Sequence, residues 1–75
     1  HAFPNPTLQH VTVSFIPSRY GRINVFEQSG RKIEQIPISP KATNITIDLS
    51  AYPKGIYFIS LTGTGVMETT KIIKQ

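Results

Sequence analysis

Apolar and polar residues alternate along most of this chain, in short pieces separated by proline and glycine. In "LQHVTVSF", Val11, Val13 and Phe15 fall on one side and His10, Thr12 and Ser14 on the other. That is the period of two expected of a half-buried strand. A first strand is predicted over about residues 8–15, with His10 toward solvent. A second follows over about 20–27, "YGRINVFE", where Ile23 and Val25 point one way and Phe26 the other. "EQSGRK" then reads as a tight hairpin, Gly30 supplying the left-handed residue of a three-residue turn with a bulge. In the third strand, about 31–38, the parity breaks. Ile33 is odd while Ile36 and Ile38 are even, so a bulge near Glu34–Gln35 is expected, and Pro37 marks the strand as an edge.

The fourth strand, about 43–48, turns Ile45 and Ile47 inward, with Leu49 following; Asn44, Thr46 and Asp48 point outward. Asn44-Ile45-Thr46 matches a glycosylation sequon, a short pattern that carries little weight inside a strand. The fifth, about 55–61, "GIYFISL", is apolar on both faces and is expected at the centre of a covered sheet. The sixth, about 66–74, returns antiparallel across "TGTG", with Val66 and Ile72 on one face and Met67 and Ile73 on the other. The only stretch with helical character is "DLSAYPKG", enough for a single turn. Turn signals at this spacing predict an all-β fold, a small immunoglobulin-like antiparallel sandwich of six to seven strands.

Composition narrows the function classes. Seventy-five residues hold one domain with a small core. There is no cysteine, so no disulfide and no thiolate metal site is expected. His1 and His10 are too few for a zinc site, and no cofactor is expected. No apolar run approaches the ~20 residues of a membrane helix, and six short strands fall below the about eight of an outer-membrane barrel; no membrane insertion is expected. The net charge of +4 comes from scattered basic residues, in keeping with a solvated surface and guarded strand edges.

Catalysis needs a nucleophile or an acid–base pair in a cleft. The carboxylates are Glu27, Glu34, Asp48 and Glu68, none obviously paired; no GxSxG elbow or phosphate loop occurs, and no enzyme is expected. "RYGR" and Tyr57-Phe58 lie in different strands and form no nucleic-acid-binding run. Tyr20, Phe26 and one of Tyr57 or Phe58 are the aromatics from which a sugar-binding or adhesive sandwich module would build its row; core packing competes for all of them.

Set in order, the pieces "FPNPT", "NVFEQSGRKI", "IDLSAYPKGIYFISLTGTG" and "TTKIIKQ" span nearly the whole chain. The series resembles the type A C-terminal sorting domain of type IX (Por) secretion cargo in Bacteroidetes. Phe3-Pro4-Asn5-Pro6-Thr7 resembles the family's opening motif, here followed directly by Leu8-Gln9 where many members continue with Ser-Gly or Gly. Gly30-Arg31 resembles the hairpin motif, and Leu49, Gly55 and Tyr57 the "L…GxY" segment. Lys71, Ile72, Ile73 and Lys74, with Gln75, resemble the closing motif, the segment expected to be read by the machinery. The resemblance implies an immunoglobulin-like fold and a secretion signal rather than an enzyme. Residues 1–75 would form the sorting domain behind a cargo. That cargo would be exported through the periplasm and outer membrane to the cell surface or medium. The partners implied are the outer-membrane shuttle and translocon and a sortase that typically removes the domain. A terminal strand can also exchange between copies, so a homodimer is among the expectations.

Overall fold

The computed structural model describes the backbone of residues 2–3 and all of residues 9–75. Pro4, Asn5 and Pro6 of the opening motif lie outside the described residues. Seven strands occur among those described: β1 (Ala2–Phe3), β2 (His10–Ser14), β3 (Arg22–Glu27), β4 (Lys32–Pro37), β5 (Asn44–Asp48), β6 (Gly55–Gly63) and β7 (Val66–Lys74). They form two antiparallel sheets, ordered β1-β2-β5 and β4-β3-β6-β7. This is an immunoglobulin-like sandwich.

Alternation decides what fills the space between the sheets. β2 contributes Val11 and Val13, and β5 contributes Ile47 with Leu49 just beyond it. From the larger sheet come Ile23, Val25, Tyr57, Ile59, Leu61 and Ile72. Each such side chain removed from water contributes about 1.5–3 kcal/mol, the main stabilising term available to a chain without cross-links. β6 lies between β3 and β7, the central place that its two-sided apolar character predicts. β4 lies at the edge, where Pro37 costs no ladder bond.

The β3–β4 hairpin closes as expected. The Gly30 N–H donates to the Glu27 carbonyl at 2.9 Å, the Glu27 N–H donates to the Arg31 carbonyl at 2.9 Å, and Gly30 sits at φ 92°. Any other residue there would carry the left-handed strain itself.

One expectation is corrected. The bulge is not at Glu34–Gln35. Val25 pairs with Glu34 and Phe26 with Lys32, so Ile33 is the extra residue. The register is reset immediately after the hairpin, which lets Ile33 pack against the core and still brings Ile36 opposite Ile23. "DLSAYPKG" makes the single turn expected of it. A single turn, with the Tyr52 N–H donating to the Leu49 carbonyl at 3.0 Å, suffices to carry the chain from one sheet to the other.

Candidate functional site

Antiparallel pairing gathers distant motif residues at one end of the sandwich. The end of β3 lies beside the start of β6 (Glu27 opposite Tyr57), and the start of β6 beside the end of β7 (Gly55 opposite Lys74). The β3–β4 hairpin, the 49–54 loop and the closing residues therefore share this end. Gly55 opens β6 at φ 152°, outside the usual range for a residue with a side chain.

Side-chain hydrogen bonds from Tyr52, Tyr57 and Lys74 lock the loop in place. The Tyr52 hydroxyl donates to Glu34 Oε2 at 2.6 Å and lies 3.3 Å from the Ile33 carbonyl on the bulged strand. The Tyr57 hydroxyl donates to the Pro53 carbonyl. Lys74 Nζ donates to the Tyr52 carbonyl. Lys74 is thus a latch between the last strand and the loop. Arg31 acts elsewhere, within the hairpin. Its Nη2 lies 3.1 Å from Glu27 Oε2 and clamps the two strands where they turn. The Ser29 hydroxyl and this guanidinium hold the Glu27 carboxyl below the ordinary carboxylate range. Asp48, accepting from Ser50 with His10 nearby, is also lowered. Leu49 is fully buried, and its N–H donates to the Gln9 carbonyl at 2.7 Å.

The closing motif is divided by strand alternation. Ile72 is 0% exposed, whereas Ile73 is 41% exposed. Lys71 and Gln75 are exposed and Lys74 is half-buried. On the outer face, Ile73 pairs with Ile56, and Lys71 with Phe58; Phe58 pairs in turn with Phe26 and Phe26 with Lys32. The result is an apolar strip of half-exposed residues crossed by a row that begins and ends in lysine.

The comparison with known families is decisive at this point. A family model for the secretion system C-terminal sorting domain matches residues 1–75. The chain belongs to that family. No curated protein and no solved structure matches it. As a type IX sorting domain, it serves a secreted or cell-surface cargo and works with the secretion machinery.

Within this sorting domain the structure separates roles that the motif lumps together. Leu49, Tyr57 and Ile72 are core residues, Gly30 and Gly55 set backbone conformation, Arg31 and Lys74 hold turns, and Lys71, Ile73 and Gln75 face outward. Sequence reading missed Tyr52 and Glu34. Their only local signal is a tyrosine in an otherwise small, polar turn.

The two loop tyrosines give a pH prediction. Hydrogen bonding to Glu34 and then burial raise the Tyr52 phenol above its usual value, and burial raises Tyr57. A raised folded-state value favours the neutral phenol, so this stability is complete below the unfolded value of about 10 and is lost as pH rises through the folded values. Urea midpoints are expected to fall as pH rises above about 10. Tyr52→Phe should start lower and fall less over the same rise.

Proposed function

We propose that the secretion machinery reads the outward half of the closing segment, Lys71, Ile73 and Gln75, while Ile72 and Lys74 hold that half in place. The observation that supports this is the contrast within the motif: Ile72 is fully buried and its neighbour Ile73 is 41% exposed beside Ile56. An apolar side chain flanked by lysine on an ordered strand offers area for affinity and charge for steering. In this reading the cargo precedes residue 1, passes through the periplasm, and is released from the domain by the sortase after outer-membrane translocation.

A sugar-binding reading loses its aromatic row. Tyr20 and Tyr57 are 5% and 4% exposed, which leaves only the half-buried Phe26 and Phe58 on the outer face.

Deleting residues 71–75 is a poor test, because it removes the buried Ile72 as well. The better variant is Lys71→Glu combined with Ile73→Asp, in a reporter fused upstream of the domain and expressed in a host with type IX secretion. Surface reporter is expected to fall at least about tenfold, as for loss of a desolvated contact, with reporter retained in the periplasm. Undiminished export by a folded double variant would overturn the proposal.

A further inference from the structure

The end of the sandwich opposite the motif residues has its own chemistry. An open cleft of about 800 Å³ lies there, with Arg19 and Arg22 on its walls and Tyr20, Pro37, Pro40 and Thr62 among its lining. Arg22 opens β3 and pairs with Pro37 on one side and Thr62 on the other. Its guanidinium makes no ion pair or hydrogen bond among the described residues. Arg19 is carried by the 15–21 loop, and its Nε donates to the Tyr20 hydroxyl at 3.2 Å.

That loop is held firmly. The Gly21 N–H donates to the Thr62 carbonyl at 2.8 Å, the Ile38 N–H donates to the Gly21 carbonyl at 3.0 Å, and Ser18 Oγ donates to the Pro40 carbonyl at 2.9 Å. Ser18 adopts φ 67°, a left-handed conformation that costs free energy in a residue with a side chain. The fold thus keeps a strained residue in the wall of a cleft that also holds two guanidinium groups.

Two large apolar side chains flank the cleft. Met67 is 70% exposed and pairs with Thr62 in the same cross-strand row as Arg22. Ile16 is 62% exposed and lines an adjoining hollow with Arg19 and Glu68. Exposed apolar side chains around guanidinium groups without a carboxylate partner are the composition of a protein-binding surface.

We propose that this end of the sandwich is a second docking site, for a segment of another protein that carries carboxylates flanked by apolar side chains. Arg22 receives one carboxylate through its planar fork and Arg19 a second, with Tyr20 and the prolines as an apolar floor and Ile16 and Met67 as shoulders. A second copy of this chain is a poor occupant. Glu27 is held by Arg31, Glu34 by Tyr52 and Asp48 by Ser50, which leaves Glu68 alone to offer. Along β7 the Met67 shoulder lies four residues from Lys71 and six from Ile73, about 14 and 20 Å at about 3.4 Å each, so loss of this site is separable from loss of the signal read there.

The test is selection from a random peptide library on the full 75-residue chain, followed by amide chemical-shift mapping. Selected peptides are expected to be enriched in Asp and Glu beside apolar residues and to shift the amides of residues 18–22 and 62–64. Binding should weaken at least about tenfold in Arg22→Gln and partly recover in Arg22→Lys, as for loss of one partner in a desolvated charge pair. Arg19→Gln supplies an independent arm, and dispersed amide spectra confirm that each variant is folded. Peptides without acidic enrichment, peptides that map elsewhere, or affinity unchanged in both glutamine variants would overturn the proposal. So would inorganic phosphate moving the same amides at lower concentration than the peptides, since the cleft would then be a phosphate site.

Discussion

Ile72→Ala is expected to destabilise the domain by about 2–4 kcal/mol, and Ile73→Ala by less than about 1 kcal/mol. The two residues are neighbours with the same side chain, so composition and propensity cancel in the comparison. Only the side of the strand differs. Ile72 lies opposite Tyr57 on β6 and is 0% exposed, so truncation leaves a cavity between the sheets. Ile73 is 41% exposed and loses mostly solvent-facing surface. A 75-residue domain is stable by roughly 4–11 kcal/mol, at about 0.05–0.15 kcal/mol per residue, so the Ile72 change removes a large share. Urea denaturation followed by circular dichroism measures both. Equal losses would mean that β7 does not divide its isoleucines between core and surface. In export assays the order should reverse: Ile73→Asp blocks a folded domain, whereas Ile72→Val, which spares most of the core packing, leaves export intact.

That contrast was legible in the sequence as far as alternation reaches. Val66, Ile72, Met67 and Ile73 fall on two faces by parity alone. Which face is buried depends on β6, whose Tyr57, Ile59 and Leu61 face the opposite sheet. The same reasoning located the hairpin at Gly30, the edge at Pro37 and the centre at "IYFISL", because each rests on local backbone chemistry or on period two.

What the sequence hid is what depends on contacts between distant residues. The bulge falls at Ile33 because the register must return to the core directly after a tight hairpin, and parity cannot say at which residue it does so. Tyr20 begins a predicted strand, where alternation alone does not choose between core packing and an exposed aromatic row. It is buried, edge-on to Phe15 at 6.5 Å between ring centroids, with Arg19 over its ring at 5.7 Å. The Tyr52–Glu34 and Lys74–Tyr52 bonds join residues 18 and 22 positions apart in sequence, and no periodicity announces them. Lys71 and Lys74 look equivalent in "KIIKQ". The fold makes one a surface charge and the other a latch.

Leu49→Ala is expected to cost about 3–5 kcal/mol, the upper range for a leucine truncated in a packed core. Leu49 is a motif residue, so its loss would be expected to abolish export, and the structure says by which route. The side chain is 0% exposed and cannot touch a partner while the domain is folded. Its backbone joins the chain near Gln9 to the 49–54 loop, through its N–H to Gln9 and its carbonyl from Tyr52. The loop in turn holds Lys74. A cavity at Leu49 therefore loosens the seam on which the closing strand is latched, and export should fall in proportion to the unfolded fraction. Leu49→Met keeps the volume, should cost less than about 1.5 kcal/mol, and should export normally. Urea midpoints and surface reporter measured on both variants decide the route. If Leu49→Ala stayed as stable as the parent and still failed to export, Leu49 would have to be contacted directly, and the division into packing and outward-facing motif residues would be wrong at this position.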